Sequence, residues 1–312
     1  MDDVEKTIQI IFYSNQTYID MSQTCHSETG KIKSLFLKHA DQAFKSDDHI
    51  HKYWKDLNYL QKPIMSEAHD EYNHFEAILR SHDIIIHHLP EDDCVNIDSI
   101  YCRDAAIATN KGMILCNMGK AARKNEPAAL EKTFKANNIT ILGTINAPGT
   151  VEGGDVAWLD EHTLAVGHTY RTNLEGIQQL KTLLSLIDVN VITVPLPHYK
   201  GPDDVFHLMS ILSPVDKNIA VVYSPLMPVS FRNELLIRKY QLVEVPDDEF
   251  ETMGCNVLAL EPGVCLMVEG NPKTKTLLEE AGCKVIEYKG NEISVKGGGG
   301  PTCLTRPIYR EV

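Results

Sequence analysis

From about residue 100 onward the chain repeats one unit: two short apolar strands, an amphipathic helix and a third strand. Ala105–Thr109 and Gly112–Cys116 precede a helix expected near Pro127–Asn137, followed by Ile139–Leu142. Asp155–Leu159 and Thr163–Gly167 precede a helix near Thr172–Ile187, followed by Asn190–Val194. Ile219–Tyr223 precedes a helix near Pro228–Tyr240, followed by Gln241–Val245. Asn256–Leu260 and Val264–Val268 precede a helix near Pro272–Ala281, followed by Lys284–Tyr288. The period of roughly 45 to 55 residues is the range of repeated supersecondary units, which bury their apolar faces against one another. The strand Thr7–Phe12, a helix near His69–His82 and the strand Asp83–His87 are expected to supply a fifth unit. Gly290–Val295 is expected to help close a ring. The object predicted is a closed α/β assembly of five units, with loops converging on a central channel. The polar, helix-compatible stretch from about 20 to 63 fits this scheme poorly and reads as an insertion, suited to a lid or a partner surface. No linker divides the chain, so residues 1–312 are expected to form one domain.

Composition narrows the function. The formal net charge is -13, with 30 Lys and Arg against 43 Asp and Glu. Nucleic-acid binding rests on clustered cations that neutralise phosphates, and this balance argues against it. No apolar run reaches the length of a membrane span, and Met1–Phe12 lacks a signal-peptide pattern. The eight cysteines form no CxxC pair, so no zinc ribbon or thioredoxin motif is present. A cytoplasmic protein with reduced thiols is expected.

Several segments carry chemistry. Cys303 lies in KGGGGPTCLTRP, where Gly297–Gly300 permit close backbone approach and Pro301 stiffens the turn. This suits a presented thiol, although a flexible loop with an incidental cysteine would read the same way. His207, in DDVFHLMS, is either a satisfied core histidine or the proton partner that a cysteine nucleophile needs near neutral pH. Glu152 and Asp155 flank a glycine pair in VEGGDVAW, a composition also found in solvated turns. Asp104 stands in the apolar run around SIYCRDAAIAT. A buried carboxylate there requires pairing, with Arg103 or with a cationic substrate. Arg123 and Arg171 each precede a predicted helix. Most such arginines are solvated, but the guanidinium fork also suits a substrate carboxylate.

Taken in order, DSIYCRDAAIAT, NMGKAARKNEP, VEGGDV, VGHTYRTN, HLMS, CNVLAL and GGGGPTCLTRP resemble the guanidino-group-modifying superfamily. Its members include arginine deiminases, dimethylarginine dimethylaminohydrolases and amidinotransferases. The resemblance implies a five-bladed α/β propeller of the pentein type, built from ββαβ repeats; the helical N-terminal insertion is read from the residues alone and matches neither the deiminase nor the dimethylarginine hydrolase pattern. It implies Cys303 as nucleophile, His207 as general acid and base, and Glu152 as the carboxylate that binds guanidinium and supports the histidine. Asp104 and Asp155 become substrate-binding carboxylates, and Arg123 and Arg171 hold the amino acid's carboxylate. No metal or organic cofactor is implied. The expected partner is a small guanidino compound, not nucleic acid or membrane, and homo-oligomerisation is left open. Deiminases place an aspartate two residues after the histidine, where this chain has Met209. That favours an N-methylated arginine as substrate. Arginine hydrolysis, amidino transfer and a non-catalytic arginine sensor are the alternatives. Keeping the thiol, imidazole and both carboxylates argues against the sensor.

Overall fold

The computed structural model describes residues 23–312. Its strands fall into five separate sheets of three strands each. The fifth unit comes first along the chain. It contains β1 (Lys31–Leu37), the short helices α1 (Ala40–Phe44) and α2 (Asp47–Tyr53), α3 (Met65–Ser81) and β2 (Ile85–His88). The second unit holds β3 (Ala106–Thr109), β4 (Gly112–Leu115), α4 (Glu126–Ala136) and β5 (Ile141–Thr144). The third holds β6 (Val156–Asp160), β7 (Thr163–His168), α5 (Leu174–Ser185) and β8 (Asn190–Pro195). The fourth holds β9 (Leu212–Asp216), β10 (Ile219–Val222), α6 (Val229–Ile237), β11 (Gln241–Glu244) and the short α7 (Asp247–Phe250). The last holds β12 (Leu258–Glu261), β13 (Val264–Val268), α8 (Pro272–Glu280) and β14 (Lys284–Tyr288), before β15 (Thr305–Glu311).

In each of the four contiguous units the first two strands pair antiparallel. The helix then crosses over, so that the third strand pairs parallel to the second. A parallel pair needs such a crossover, because a tight turn can join only antiparallel strands. β15 supplies the missing first strand of the remaining unit, pairing antiparallel with β1, which is parallel to β2. First strands of adjacent units meet, as β15 does with β3, β6 with β9 and β9 with β12. The fold is therefore the five-bladed α/β propeller expected from the sequence.

Local signals explain the helices. α4 carries Pro127 in its first turn, where the missing N–H costs nothing, and buries Leu130, Thr133 and Phe134 at helical spacing. α5 starts at Asn173, whose side chain accepts the Gly176 N–H, and buries Ile177, Leu180 and Leu184. These side chains join the strands of the second and third units in one apolar cluster. Each fully buried Leu, Ile or Phe stabilises the fold by about 1.5–3 kcal/mol.

The fifth unit departs from expectation. Thr7–Phe12 lies outside the described residues. The blade strand is β1, which falls inside the stretch read as a helical insertion; only α1, α2 and the segment after them fit that reading. KIKSLFL is nearly all buried toward its end, so its strand alternation shows only at Lys31, Ile32 and Lys33. Gly290–Val295 forms no strand; Asn291–Val295 coils into a π-helical turn, and β15 closes the ring instead. β9 and β15 contain Pro214 and Pro307 and occupy sheet edges, where a missing N–H is tolerated. Among the described residues no helix is long and apolar enough to cross a membrane.

Candidate active site

Four chain segments bring one chemical group each to the axis. Asp104 comes from the turn before β3, Glu152 from the turn before β6, His207 from the turn before β9 and Cys303 from the turn before β15. The equivalent position in successive units thus accounts for residues so far apart in sequence lying together. His207 and Cys303 both line an inner cleft with Asp104 and Arg171, and both line an outer cleft with Met209 and Phe206.

Glu152 is wholly buried. Its Oε2 lies 2.9 Å from His207 Nε2, and its Oε1 accepts the Lys120 N–H at 2.9 Å. Burial alone would raise its pKa, but His207, Arg123 and Arg171 together hold it down to about 2. Burial alone would lower His207. The charges of Asp155, Glu152 and Asp104 outweigh that and push it up to about 9. His207 is therefore an imidazolium at neutral pH, a proton donor. Burial, then the Asp104 charge, raises the Cys303 thiol above its ordinary value, against hydrogen bonds from Thr302 and Asn256. A cation bound beside Asp104 would cancel much of that charge and favour the thiolate.

Asp104 presents an oxygen with nothing to bind. Its Oδ2 accepts from Arg123 Nη1, while its buried Oδ1 has no hydrogen-bond partner among the described residues. The acceptor atoms of Asp104, Glu152 and His207 all lie within 4.8 Å of one another. Such spacing also fits a metal triad, in which a bound ion would have to displace the proton of His207. A planar organic cation suits these charges better, because two carboxylates can grip it along its edges.

Two of the expected substrate-binding residues are already engaged within the protein. Arg123 lines the inner cleft but is held by neighbouring acceptors. Its Nε and Nη2 each donate to Glu126 at 2.8 Å, Nη2 also donates to Tyr101 O at 2.9 Å, and Nη1 holds Asp104. Four of its five N–H groups are engaged in this way, and one of them holds Asp104 in place. Asp155 accepts the Leu208 N–H at 3.1 Å and the Thr169 hydroxyl at 2.7 Å. It anchors the turn that carries His207, and burial raises its pKa to about 6. Arg171, by contrast, is buried with Nε lacking any acceptor among the described residues, and its Nη1 lies 3.8 Å from Glu152. Met209 is buried in the apolar cluster beneath the outer cleft.

Two contributors escaped the sequence reading. Asn256 Nδ2 donates to Cys303 Sγ at 3.4 Å, and its Oδ1 accepts from Thr302 N and Oγ1 at 3.1 and 2.9 Å. Gly300 is needed there because a Cβ would overlap Asn256. Glu126, three residues after Arg123, was available as a helical charge pair. Gly154 matters as much: its Cβ would overlap the His207 ring and crowd Asp104 Oδ1 at 2.8 Å. Gly154→Ala is expected to lower kcat about a hundredfold by displacing His207, the cost of a roughly 1 Å misplacement. Circular dichroism should show an intact fold; wild-type kcat in that variant would mean that the ring has room to move.

Five such blades, with a cysteine, a histidine and two carboxylates gathered at the axis, define a member of the guanidino-group-modifying superfamily. The family model described as N,N dimethylarginine dimethylhydrolase, eukaryotic, matches residues 38–310, and the chain belongs to that family. It is a hydrolase of carbon–nitrogen bonds in guanidino compounds. The chain is 27% identical over 288 residues to the uncharacterized protein YkgA of Bacillus subtilis, covering 92% of this chain and 95% of that one. It is also 27% identical over 248 residues to the N(G),N(G)-dimethylarginine dimethylaminohydrolase of Pseudomonas aeruginosa, covering 80% of this chain and 91% of the relative. Among solved structures, the N-terminal domain of ArgZ, a cyanobacterial arginine dihydrolase, shares the fold at a TM-score of 0.76 and 18% identity. That match covers 90% of this chain and 98% of the domain.

Proposed function

We propose that this enzyme hydrolyses an N-methylated arginine to citrulline and a methylamine, with Cys303 as nucleophile. The observation that carries the reading is the unpartnered, buried Asp104 Oδ1 facing Glu152 and His207 beside the thiol. Asp104 and Glu152 bind the guanidinium edges and hold its plane. Arg171 takes the amino acid's carboxylate through its unpaired N–H groups.

Once the bound guanidinium offsets Asp104, Cys303 releases its proton to solvent, and the thiolate attacks the guanidinium carbon, forming the C–S bond. His207 gives its proton to the methylated nitrogen, the C–N bond breaks, and the amine departs. An S-alkyl thiouronium remains on Cys303. The now neutral His207 takes a proton from water, whose oxygen attacks the same carbon. The C–S bond breaks as the hydroxyl proton of the adduct passes through solvent to the released amine, returning the thiolate and the protonated His207 and releasing citrulline.

Met209 supports the methylated substrate, since its thioether offers no strong acceptor and packs well against methyl groups. An unsubstituted guanidinium would leave a charged N–H poorly paired there, at about 1–3 kcal/mol or roughly five- to 150-fold in rate. Steady-state kinetics should therefore give a larger kcat/KM for dimethylarginine than for arginine, with Met209→Asp shifting the preference toward arginine. The second reading, arginine hydrolysis to citrulline or ornithine, is favoured by Asp203 and Asp204, which line the outer cleft and could replace the missing acceptor. Faster turnover of arginine by the unaltered enzyme would put that reading first.

A further inference from the structure

Behind Asp104 the axis is filled by charge of the opposite sign. Arg103, the residue before it, and Arg306 and Arg310, on one face of β15, are all buried together with Glu28. Arg103 Nη2 donates to Glu28 Oε1 at 2.7 Å. Arg306 Nη1 donates to Ala106 O in β3 at 2.8 Å. Arg310 Nη1 donates to Ala259 O in β12 and Gly30 O at 2.8 and 2.6 Å. Strands from different blades therefore enclose the cluster, as only the axis of the ring allows.

The account does not balance in charge or in hydrogen bonds. Three guanidinium groups share one carboxylate, and backbone carbonyls contribute no charge. Arg103 Nε and Nη1 and Arg310 Nε have no acceptor among the described residues, although each residue is at most 2% exposed. Buried polar groups of this kind are nearly always paired, and buried ions nearly always compensated. Burial and the neighbouring Arg103 lower Arg306 to about 10, and burial lowers Arg310 to about 9. Both remain cations at neutral pH. The three unpartnered donors come from two blades, and Arg103, Arg306, Arg310 and Glu28 lie near enough to act on one another's charge; an excess of positive charge there favours a small anion over a neutral molecule.

We propose that Arg103 and Arg310, with Arg306 beside them, form a binding site for a small monovalent inorganic anion such as chloride. Crystals of the unaltered enzyme soaked in sodium bromide should show an anomalous peak within hydrogen-bonding distance of Arg103 Nε or Nη1 and Arg310 Nε. In solution, replacing methanesulfonate by chloride from about 1 to about 100 mM at constant ionic strength should raise Tm by roughly 2–4 °C. Glu28→Gln removes the competing carboxylate and should steepen that dependence, whatever it does to the baseline Tm. A bromide-free axis holding only water, or a Tm indifferent to the choice of anion, overturns the proposal. Either failure leaves the hydrolase reading untouched, because these residues lie outside the four-group site.

Discussion

Cys303→Ser should abolish turnover, lowering kcat by more than about 10⁴-fold while a citrulline-like ligand still binds. A serine hydroxyl keeps the shape and the contact with Asn256, but its pKa is too high for the alkoxide to form beside Asp104. The carboxylates that grip the guanidinium would be unaffected, so binding by calorimetry should survive. The variant therefore separates chemistry from recognition. A serine variant retaining more than about one per cent of the activity would remove Cys303 from the reaction. Alkylation gives an independent reading of the same thiol. Cys303 is partly exposed, whereas burial raises Cys116 out of the ordinary thiol range. Iodoacetamide should label Cys303 ahead of the buried Cys116 and Cys265, and faster in the presence of a guanidinium that offsets Asp104.

Glu152→Gln should lower kcat/KM by about 10²–10⁴-fold, the usual contribution of a positioned proton donor. It should also move the alkaline limb of the pH profile downward. In the unaltered enzyme that limb should lie near 9, where His207 loses its proton. Without the Glu152 charge, burial pulls the imidazole back toward its ordinary 6.5, and the limb should fall by about one to two pH units. The same pair makes stability depend on pH. The raised His207 pKa contributes stability that is complete below pH 6.5 and lost as pH rises through about 9. The depressed Glu152 pKa contributes stability that is present above 4.5 and lost as pH falls through about 2. The pair is thus at full strength between those ordinary values, and Glu152→Gln should flatten the Tm profile on both sides. A limb that stays near 9 in the variant would mean that another group donates the proton.

What the sequence shows and what it hides divide along physical lines. α4, α5, α6 and α8 are readable because caps, prolines and apolar spacing are local properties of a helix. The strands of the second, third and last units are readable because they are continuous apolar runs. β15 is hidden because two of its buried side chains, Arg306 and Arg310, are charged, and hydrophobic patterning cannot see a buried charge. β1 is hidden because its partner lies at the far end of the chain. The same holds in the site. Cys303, His207, Glu152 and Asp104 announce themselves through glycine-rich turns and family motifs. Whether Arg123 faces a ligand or Glu126 depends on which charge lies nearer in space, and no motif carries that. Asn256 escapes for the same reason: an asparagine before a strand is ordinary until a thiol is found against it.

β15 does two jobs at once, because the turn that carries Cys303 runs directly into the strand that pairs with β1. The order of synthesis gives this arrangement a meaning in time. On the ribosome, four blades and three of the four groups that meet in the site are complete before Cys303 emerges. Sealing and arming then occur together. A nascent chain with an open ring carries three of the site's groups without the thiol that completes it.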